Sequence, residues 1–173
     1  QAGRSVDILN WDAHADVRPL NEGRGHSGSP FRQALEHPSG RCQGYRVAGL
    51  NPQSTARAHL DYLHQQGAAY LWRDDLTPAR IASLYDGPAS PLMVTFDLDA
   101  VDGAFAPGVS APAGYGLTPD LWLHAAYEAG RSPRVTSVDL VEANPALDPD
   151  GRTARLAALT VWQVLRGVAE REK

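Results

Sequence analysis

Two short stretches of the sequence carry side chains that can bind a metal ion. Asp12, His14 and Asp16 occupy alternate positions in "DAHAD". Asp97 and Asp99 repeat this spacing in "FDLD", and each stretch follows an apolar run that predicts a β-strand. Residues two apart face the same way on an extended segment, so each set converges if the chain stays extended beyond its strand. Each set is therefore a candidate ligand group.

Four carboxylates at one edge of a sheet would repel each other and would be costly to remove from water. Two divalent cations would cancel this charge. Oxygen and imidazole ligands without sulfur favour Mn²⁺, then Mg²⁺, Fe²⁺ or Zn²⁺. Two such ions about 3.5–4 Å apart could share a hydroxide and make it a nucleophile at neutral pH. A single aspartate at a strand end is often only a turn former or a helix cap, which explains either set alone better than both together.

Regularly alternating elements must position these residues. Apolar runs predict strands buried on both faces of a sheet at residues 5–11, 45–50, 68–72, 91–99 and 134–142. Apolar spacings of three and four predict helices at residues 29–37, 54–67, 77–85, 118–130 and 153–171. This order predicts an α/β fold, a parallel sheet flanked by helices on both faces, with residues 1–173 forming one domain. The long segments 17–28 and 100–117 follow predicted strands and are candidate binding loops.

The composition narrows the range of partners. The 173 residues carry a net charge of −4, which gives no reason to expect nucleic acid or an acidic membrane surface. No stretch approaches the roughly 18 apolar residues of a membrane helix. The single cysteine excludes an intrachain disulfide and a thiolate metal cluster. We expect a cytoplasmic protein that acts on a small molecule.

Three motifs resemble those of the ureohydrolase family, which contains the arginases and agmatinases. "DAHAD" is similar to that family's first metal-binding motif. Residues 96–117, "FDLDAVDGAFAPGVSAPAGYGL", are similar to its second signature, and residues 138–148, "VDLVEANPALD", to its third. Residues 26–35 and 144–158 most resemble the formimidoylglutamase branch. The resemblance implies an arginase-like three-layer α/β fold whose amino-terminal part is missing from this chain.

The resemblance also implies a metal centre. It assigns a pair of Mn²⁺ ions to five side chains, with Asp12 and Asp97 bridging the ions: Asp12, His14, Asp16, Asp97 and Asp99. Family members normally have an earlier segment with a further metal-binding histidine, and this chain resembles the carboxyl-terminal part of such a protein. We therefore expect lower metal affinity and an exposed sheet edge or apolar face.

Further residues match catalytic and substrate-binding positions of the family. His26 matches a loop histidine that moves protons, and Glu142 matches an acidic residue that pairs with the cationic end of the substrate. These two residues and Asp16 form the predicted catalytic set. A substrate with two carboxylates needs cations, for which Arg18 and Arg24 are the candidates beside Glu142. Each of these side chains could instead be an ordinary solvated surface group.

The implied reaction is the hydrolysis of N-formimidoyl-L-glutamate to L-glutamate and formamide by a metal-bridging hydroxide. One alternative is an agmatinase or guanidinobutyrase activity that releases urea. Another is a truncated, non-catalytic remnant with a structural role. The resemblance further implies a homo-oligomer. The remaining aromatic and imidazole side chains have simpler interpretations, with Trp11 and Trp162 as core residues and four histidines as structural or solvated groups: His37, His59, His64 and His124.

Overall fold

The computed structural model describes residues 4–87 and 90–171. The predicted apolar runs form five parallel strands: β1 Val6–Trp11, β2 Cys42–Leu50, β3 Ala69–Trp72, β4 Leu92–Asp97 and β5 Val135–Val141. Their order across the sheet is β3-β2-β1-β4-β5. The chain moves outward in one direction from β1 to β3 and returns to the other side of β1 for β4 and β5. The ends of β1 and β4 therefore flank the point where the strand order reverses, which is where open α/β sheets bind ligands.

Helices cover both faces of the sheet, as the sequence predicts. The helices are α1 Pro30–Leu35, α2 Arg57–Gln65, α3 Pro78–Ser83, α4 Pro119–Arg131 and α5 Arg152–Arg171. On one face, α1 and α2 pack against a cluster that includes Tyr45 and Val47. On the other face, α3, α4 and α5 pack against a larger cluster that includes Trp11, Phe96 and Trp122. Both clusters exclude water from β1 and β4, and this fixes the strands that carry the candidate ligands.

The last strand departs from the prediction of burial on both faces. β5 lies at the end of the sheet, and four of its seven residues are exposed, Val138 at 37% and Val141 at 38% among them. This prediction is wrong for β5, because an apolar run does not reveal whether helices or loops cover both faces of the strand. β5 therefore leaves apolar side chains exposed at one end of the sheet.

Helix α5 also differs from expectation. Trp162 is 55% exposed, so its assignment to the core is wrong, whereas Trp11 is fully buried as predicted. One face of α5 packs on α4, where Trp122 donates a hydrogen bond of 2.7 Å to the Thr160 hydroxyl. Other apolar side chains of α5 form a second, exposed face, with Leu165 at 61% exposure among them. When a helix has two apolar faces, the spacing of its apolar residues does not show which face packs against the rest of the protein.

None of the helices within the described residues is both long and apolar enough to cross a membrane.

Candidate metal centre

Tight turns, rather than extended chain, bring the candidate ligands together. β1 ends at Trp11, and the Asp12 carboxylate then accepts the backbone N–H of His14 at 2.6 Å. β4 ends at Asp97, and its carboxylate accepts the backbone N–H of Asp99 at 2.9 Å. The side chains therefore converge without extended chain past the strands. In both places an aspartate bonds to the backbone two residues on, which is a turn that this residue type favours.

The five side chains form two groups with one member in common. His14 Nδ1 lies 3.4 Å from Asp12 Oδ1 and 3.1 Å from Asp99 Oδ2. Ligand atoms within 4.8 Å of one another define one group, Asp12, His14 and Asp99, and a second group, Asp12, Asp16 and Asp97. Asp12 belongs to both groups, in keeping with the bridging role implied for it. Asp97 belongs to only one, so a bridging role for Asp97 stays a prediction.

Burial makes these charges costly in the absence of a cation. Asp12 is 1% exposed, and burial raises its pKa to about 6. Burial, reinforced by the Asp12 charge, raises the pKa of Asp16 to about 8 and that of Asp97 to about 9. Hydrogen bonds to Asp12 and then Asp99 raise the pKa of His14 to about 10. The metal-free cluster therefore holds protons that a bound cation would displace.

The residues present fit divalent cations. Asp99 is 5% exposed, and its Oδ1 is buried without a hydrogen-bond partner in the described part of the chain. Such an orphaned acceptor is rare in a folded protein and calls for a ligand or ion. The donors are carboxylate oxygens and one imidazole, a combination that suits Mn²⁺ and similar ions.

Two site residues have an unusual backbone conformation. Asp16 has φ 50° and Glu142 has φ 65°, both in the left-handed region that favours glycine. This conformation costs of the order of 1–3 kcal/mol in a residue with a side chain and persists where the surrounding structure imposes it. Glu142 follows β5, and its Oε2 accepts a hydrogen bond of 2.9 Å from the Ser110 hydroxyl. The strained residue is thereby linked to the long loop 100–117.

A small cavity opens beside the ligand groups. Its walls include His14, Asp97, Arg18, Ser110 and Glu142. The structure therefore brings Arg18 and Glu142, two of the predicted substrate-binding residues, to the same cavity as the metal ligands. Serine and arginine provide hydrogen-bond donors there, and Glu142 provides an acceptor.

Arg24 and His26 lie outside the residues that line this cavity. Arg24 is exposed, and its backbone pairs with that of Asn21. The ring of His26 accepts the Gly28 N–H on Nδ1 at 3.2 Å, while Nε2 lies 3.1 Å from the Pro19 carbonyl. With Nδ1 accepting the Gly28 N–H, Nε2 is the ring nitrogen placed to donate to the Pro19 carbonyl. The roles predicted for Arg24 and His26 stay predictions.

The remaining histidines have the local contacts expected of structural or solvated groups. His37 Nδ1 pairs with the Ser39 hydroxyl, and His124 Nε2 lies 3.3 Å from the Pro78 carbonyl. His64 stacks on the Tyr70 ring. Burial lowers the pKa of His59, which favours its neutral form.

Sequence reasoning did not identify three polar residues that contact the site. Asn10 donates to Asp12, Tyr45 accepts from Asn10, and Ser110 donates to Glu142. Asn10 could have been identified from the sequence, because an asparagine interrupts the apolar run "ILNW" two residues before Asp12. Tyr45 could not have been identified in this way, since tyrosine is common in β-strands.

Comparisons with known proteins place this site in a family. The sequence profile of the arginase family matches residues 1–166. The chain is 39% identical over 175 residues to a formimidoylglutamase of Aromatoleum aromaticum, which covers 96% of this chain and 50% of that protein. It is 35% identical over 161 residues to a formimidoylglutamase of Staphylococcus carnosus, which covers 90% of this chain and 51% of that protein. The chain thus spans about half the length of these relatives.

Solved structures agree with the sequence comparisons. Trypanosoma cruzi formiminoglutamase with Mn²⁺ superimposes with a TM-score of 0.86 at 30% identity, covering 96% of this chain and 58% of that one. Formimidoylglutamase from Bacillus subtilis gives a TM-score of 0.80 at 25% identity, covering 95% and 53%. The profile match over most of the sequence, the relatives above 30% identity and the shared fold show that this chain belongs to the arginase family.

Proposed function

We propose that this protein acts as a manganese-dependent hydrolase that cleaves a C–N bond in a linear amidine. The proposed reaction converts N-formimidoyl-L-glutamate and water to L-glutamate and formamide. The observation that carries the proposal is the pair of ligand groups that share Asp12 where the strand order reverses. The relatives named formimidoylglutamase support the choice of substrate.

Two Mn²⁺ ions would be held by the two groups described above. One group includes the imidazole of His14, whereas the other consists of carboxylates within the described residues. When bound, the ions neutralise the carboxylates and lower the pKa of water toward neutrality. Asp16 belongs to the carboxylate group and also lines the cavity, so its carboxylate can accept a hydrogen bond from the attacking water.

The proposed substrate has a planar amidinium and two carboxylates. Glu142 can hold the amidinium, because its Oε2 is fixed by Ser110 and its negative charge faces the cavity. Arg18 lines the same cavity and can pair with a substrate carboxylate. Arg24 would reach the substrate only after its loop rearranges.

The departing amine of glutamate needs a proton. His26 can supply one, because an imidazole can act as a general acid. Its Nε2 faces the Pro19 carbonyl, so the ring must leave this contact before it donates to substrate. We therefore propose that movement of the loop 17–28 accompanies catalysis.

We further propose a cytoplasmic location and assembly into a homo-oligomer. The single cysteine agrees with a reducing compartment. The apolar side chains exposed on β5 and α5 support a partner surface.

The test offers N-formimidoyl-L-glutamate and agmatine in parallel to the Mn²⁺-loaded protein and quantifies formamide and urea. Formamide alone supports the proposal. Urea alone would keep the metal chemistry but establish an agmatinase-type reaction. Asp99→Asn is the matched control, because it keeps the side-chain shape and removes one ligand charge. Manganese bound without either product would contradict both substrates, and no manganese binding would favour the non-catalytic remnant.

A further inference from the structure

A buried polar pair lies directly beneath the shared ligand. Asn10 is 1% exposed and Tyr45 is 3% exposed. They stand on neighbouring strands, and their side chains reach the face of the sheet that packs on α1 and α2. Phe31 of α1 stacks on the Tyr45 ring with the ring centroids 4.7 Å apart, and the buried Thr95 of β4 lies beside Asn10. A polar pair here is costly unless each group has a partner.

The hydrogen bonds of this pair have defined donors and acceptors. The Tyr45 hydroxyl donates to the Ala15 carbonyl at 2.9 Å, so its oxygen is free to accept. Asn10 Nδ2 donates to that oxygen at 3.2 Å and to Asp12 Oδ2 at 2.8 Å. Both acceptors require a donor, so the amide of Asn10 can satisfy them in one orientation only.

The pair touches both ends of the turn that carries the ligands. Asn10 holds one oxygen of Asp12, while the His14 N–H holds the other. Tyr45 holds the carbonyl of Ala15, which lies between His14 and Asp16. Asp12 is the residue that belongs to both ligand groups. A displacement of its carboxylate would therefore affect both groups at once.

We propose that Asn10 and Tyr45 are positioning residues that hold the Asp12 carboxylate and the 13–16 turn in the geometry that binds metal. They act through Asp12 and Ala15 and do not touch the ions or the substrate. The inference rests on the proposed metal centre, and it assigns to this chain a supporting shell of hydrogen bonds. Loss of such support typically weakens metal affinity about 10–100-fold.

Tyr85, on the opposite face of the sheet, provides a matched control. The Tyr85 hydroxyl is also buried, accepts one side-chain N–H, from Trp11 at 2.9 Å, and donates to a backbone carbonyl, that of Ala125 at 2.7 Å. Tyr45→Phe and Tyr85→Phe therefore remove the same atom from the same type of network. Only the first network reaches a candidate metal ligand.

The experiment measures Mn²⁺ affinity directly, by isothermal titration calorimetry and by the electron paramagnetic resonance signal of free Mn²⁺. We expect Tyr45→Phe to weaken binding about 10–100-fold and Tyr85→Phe to leave it within about threefold of wild type. If Tyr45→Phe does not fold, Asn10→Leu removes the donor with an apolar side chain of similar size and is expected to show the same weakening.

The outcomes separate this inference from the proposed metal centre. Wild-type protein that binds Mn²⁺, with equal affinities in Tyr45→Phe and Tyr85→Phe, overturns the positioning role and keeps the metal centre. Unchanged affinity in Asn10→Leu overturns it as well. Wild-type protein that does not bind Mn²⁺ overturns both.

Discussion

Replacement of Asp97 by asparagine should stabilise the metal-free protein and reduce its stabilisation by metal, since Asp97 belongs to one of the two ligand groups. Asp97 is 6% exposed, and burial, with Asp12 and Asp99 nearby, raises its pKa from 3.8 to about 9. Between these two values the folded chain holds a proton on Asp97 that the unfolded chain has released. Stability of the metal-free protein therefore falls as the pH rises through this window.

The magnitude follows from the number of protons. One proton corresponds to about 1.4 kcal/mol per pH unit, so this carboxyl alone lowers stability by up to about 4 kcal/mol between pH 5 and pH 8. Asparagine resembles the protonated carboxyl and keeps an oxygen for the Asp99 N–H, but it does not titrate. The stability advantage of Asp97→Asn over wild type should grow by that amount across the same interval. The free energy of unfolding of native proteins is only about 5–15 kcal/mol, so a change of this size is readily measured.

Urea unfolding in a chelator at pH 5, 6.5 and 8, repeated in Mn²⁺, is the assay. Asp61→Asn is the control, because Asp61 is 53% exposed and pairs with Arg57 on the surface of α2. That change should alter stability by less than about 0.5 kcal/mol at each pH. A stability difference between Asp97→Asn and wild type that does not vary with pH would refute the reasoning, as would Mn²⁺ stabilising the variant as much as wild type.

Three further predictions follow from the site and the packing. Mn²⁺ should raise the melting temperature more at pH 8 than at pH 6. The ligand carboxyl groups and His14, whose pKa is about 10, must release protons to bind the ion, and they do so more readily at higher pH. An equal or larger increase at pH 6 would argue against proton release. Gly167→Ala should lower the free energy of unfolding by about 2 kcal/mol or more, since the new Cβ would lie 2.3 Å from the Tyr127 carbonyl oxygen. Gly114→Ala is the control, because a Cβ there meets nothing within 4 Å. Equal destabilisation of the two variants in thermal unfolding would contradict the packing argument. Arg18→Gln should raise KM for N-formimidoyl-L-glutamate about tenfold and leave Mn²⁺ affinity within about threefold of wild type, because Arg18 pairs with a substrate carboxylate and not with the ions. An unchanged KM in steady-state kinetics would contradict that role.

The sequence predicted the strands and helices well because their residue types act locally. Apolar runs placed all five strands within a few residues, and apolar spacings of three and four placed the five α-helices equally closely. The family motifs also led to the five candidate ligands that the structure brings together. Spacing alone did not reveal the turns, in which the carboxylates of Asp12 and Asp97 accept hydrogen bonds from the backbone N–H groups two residues on.

The rest depended on contacts between distant parts of the chain. The exposure of Trp162 follows from which face of α5 meets α4, and that choice is made by close contact between Gly130 and Gly167. The support of Asp12 by Tyr45 depends on the register of β1 against β2, which no local pattern states. The orientation of His26 depends on carbonyl and amide groups of its own loop.

The most direct test of the central claim counts bound manganese. Equilibrium dialysis against Mn²⁺, followed by metal analysis, should give two ions per chain for wild type, fewer for His14→Ala, and none for Asp12→Ala, because Asp12 belongs to both groups. Two ions retained by Asp12→Ala, or none bound by the wild-type protein, would contradict the account.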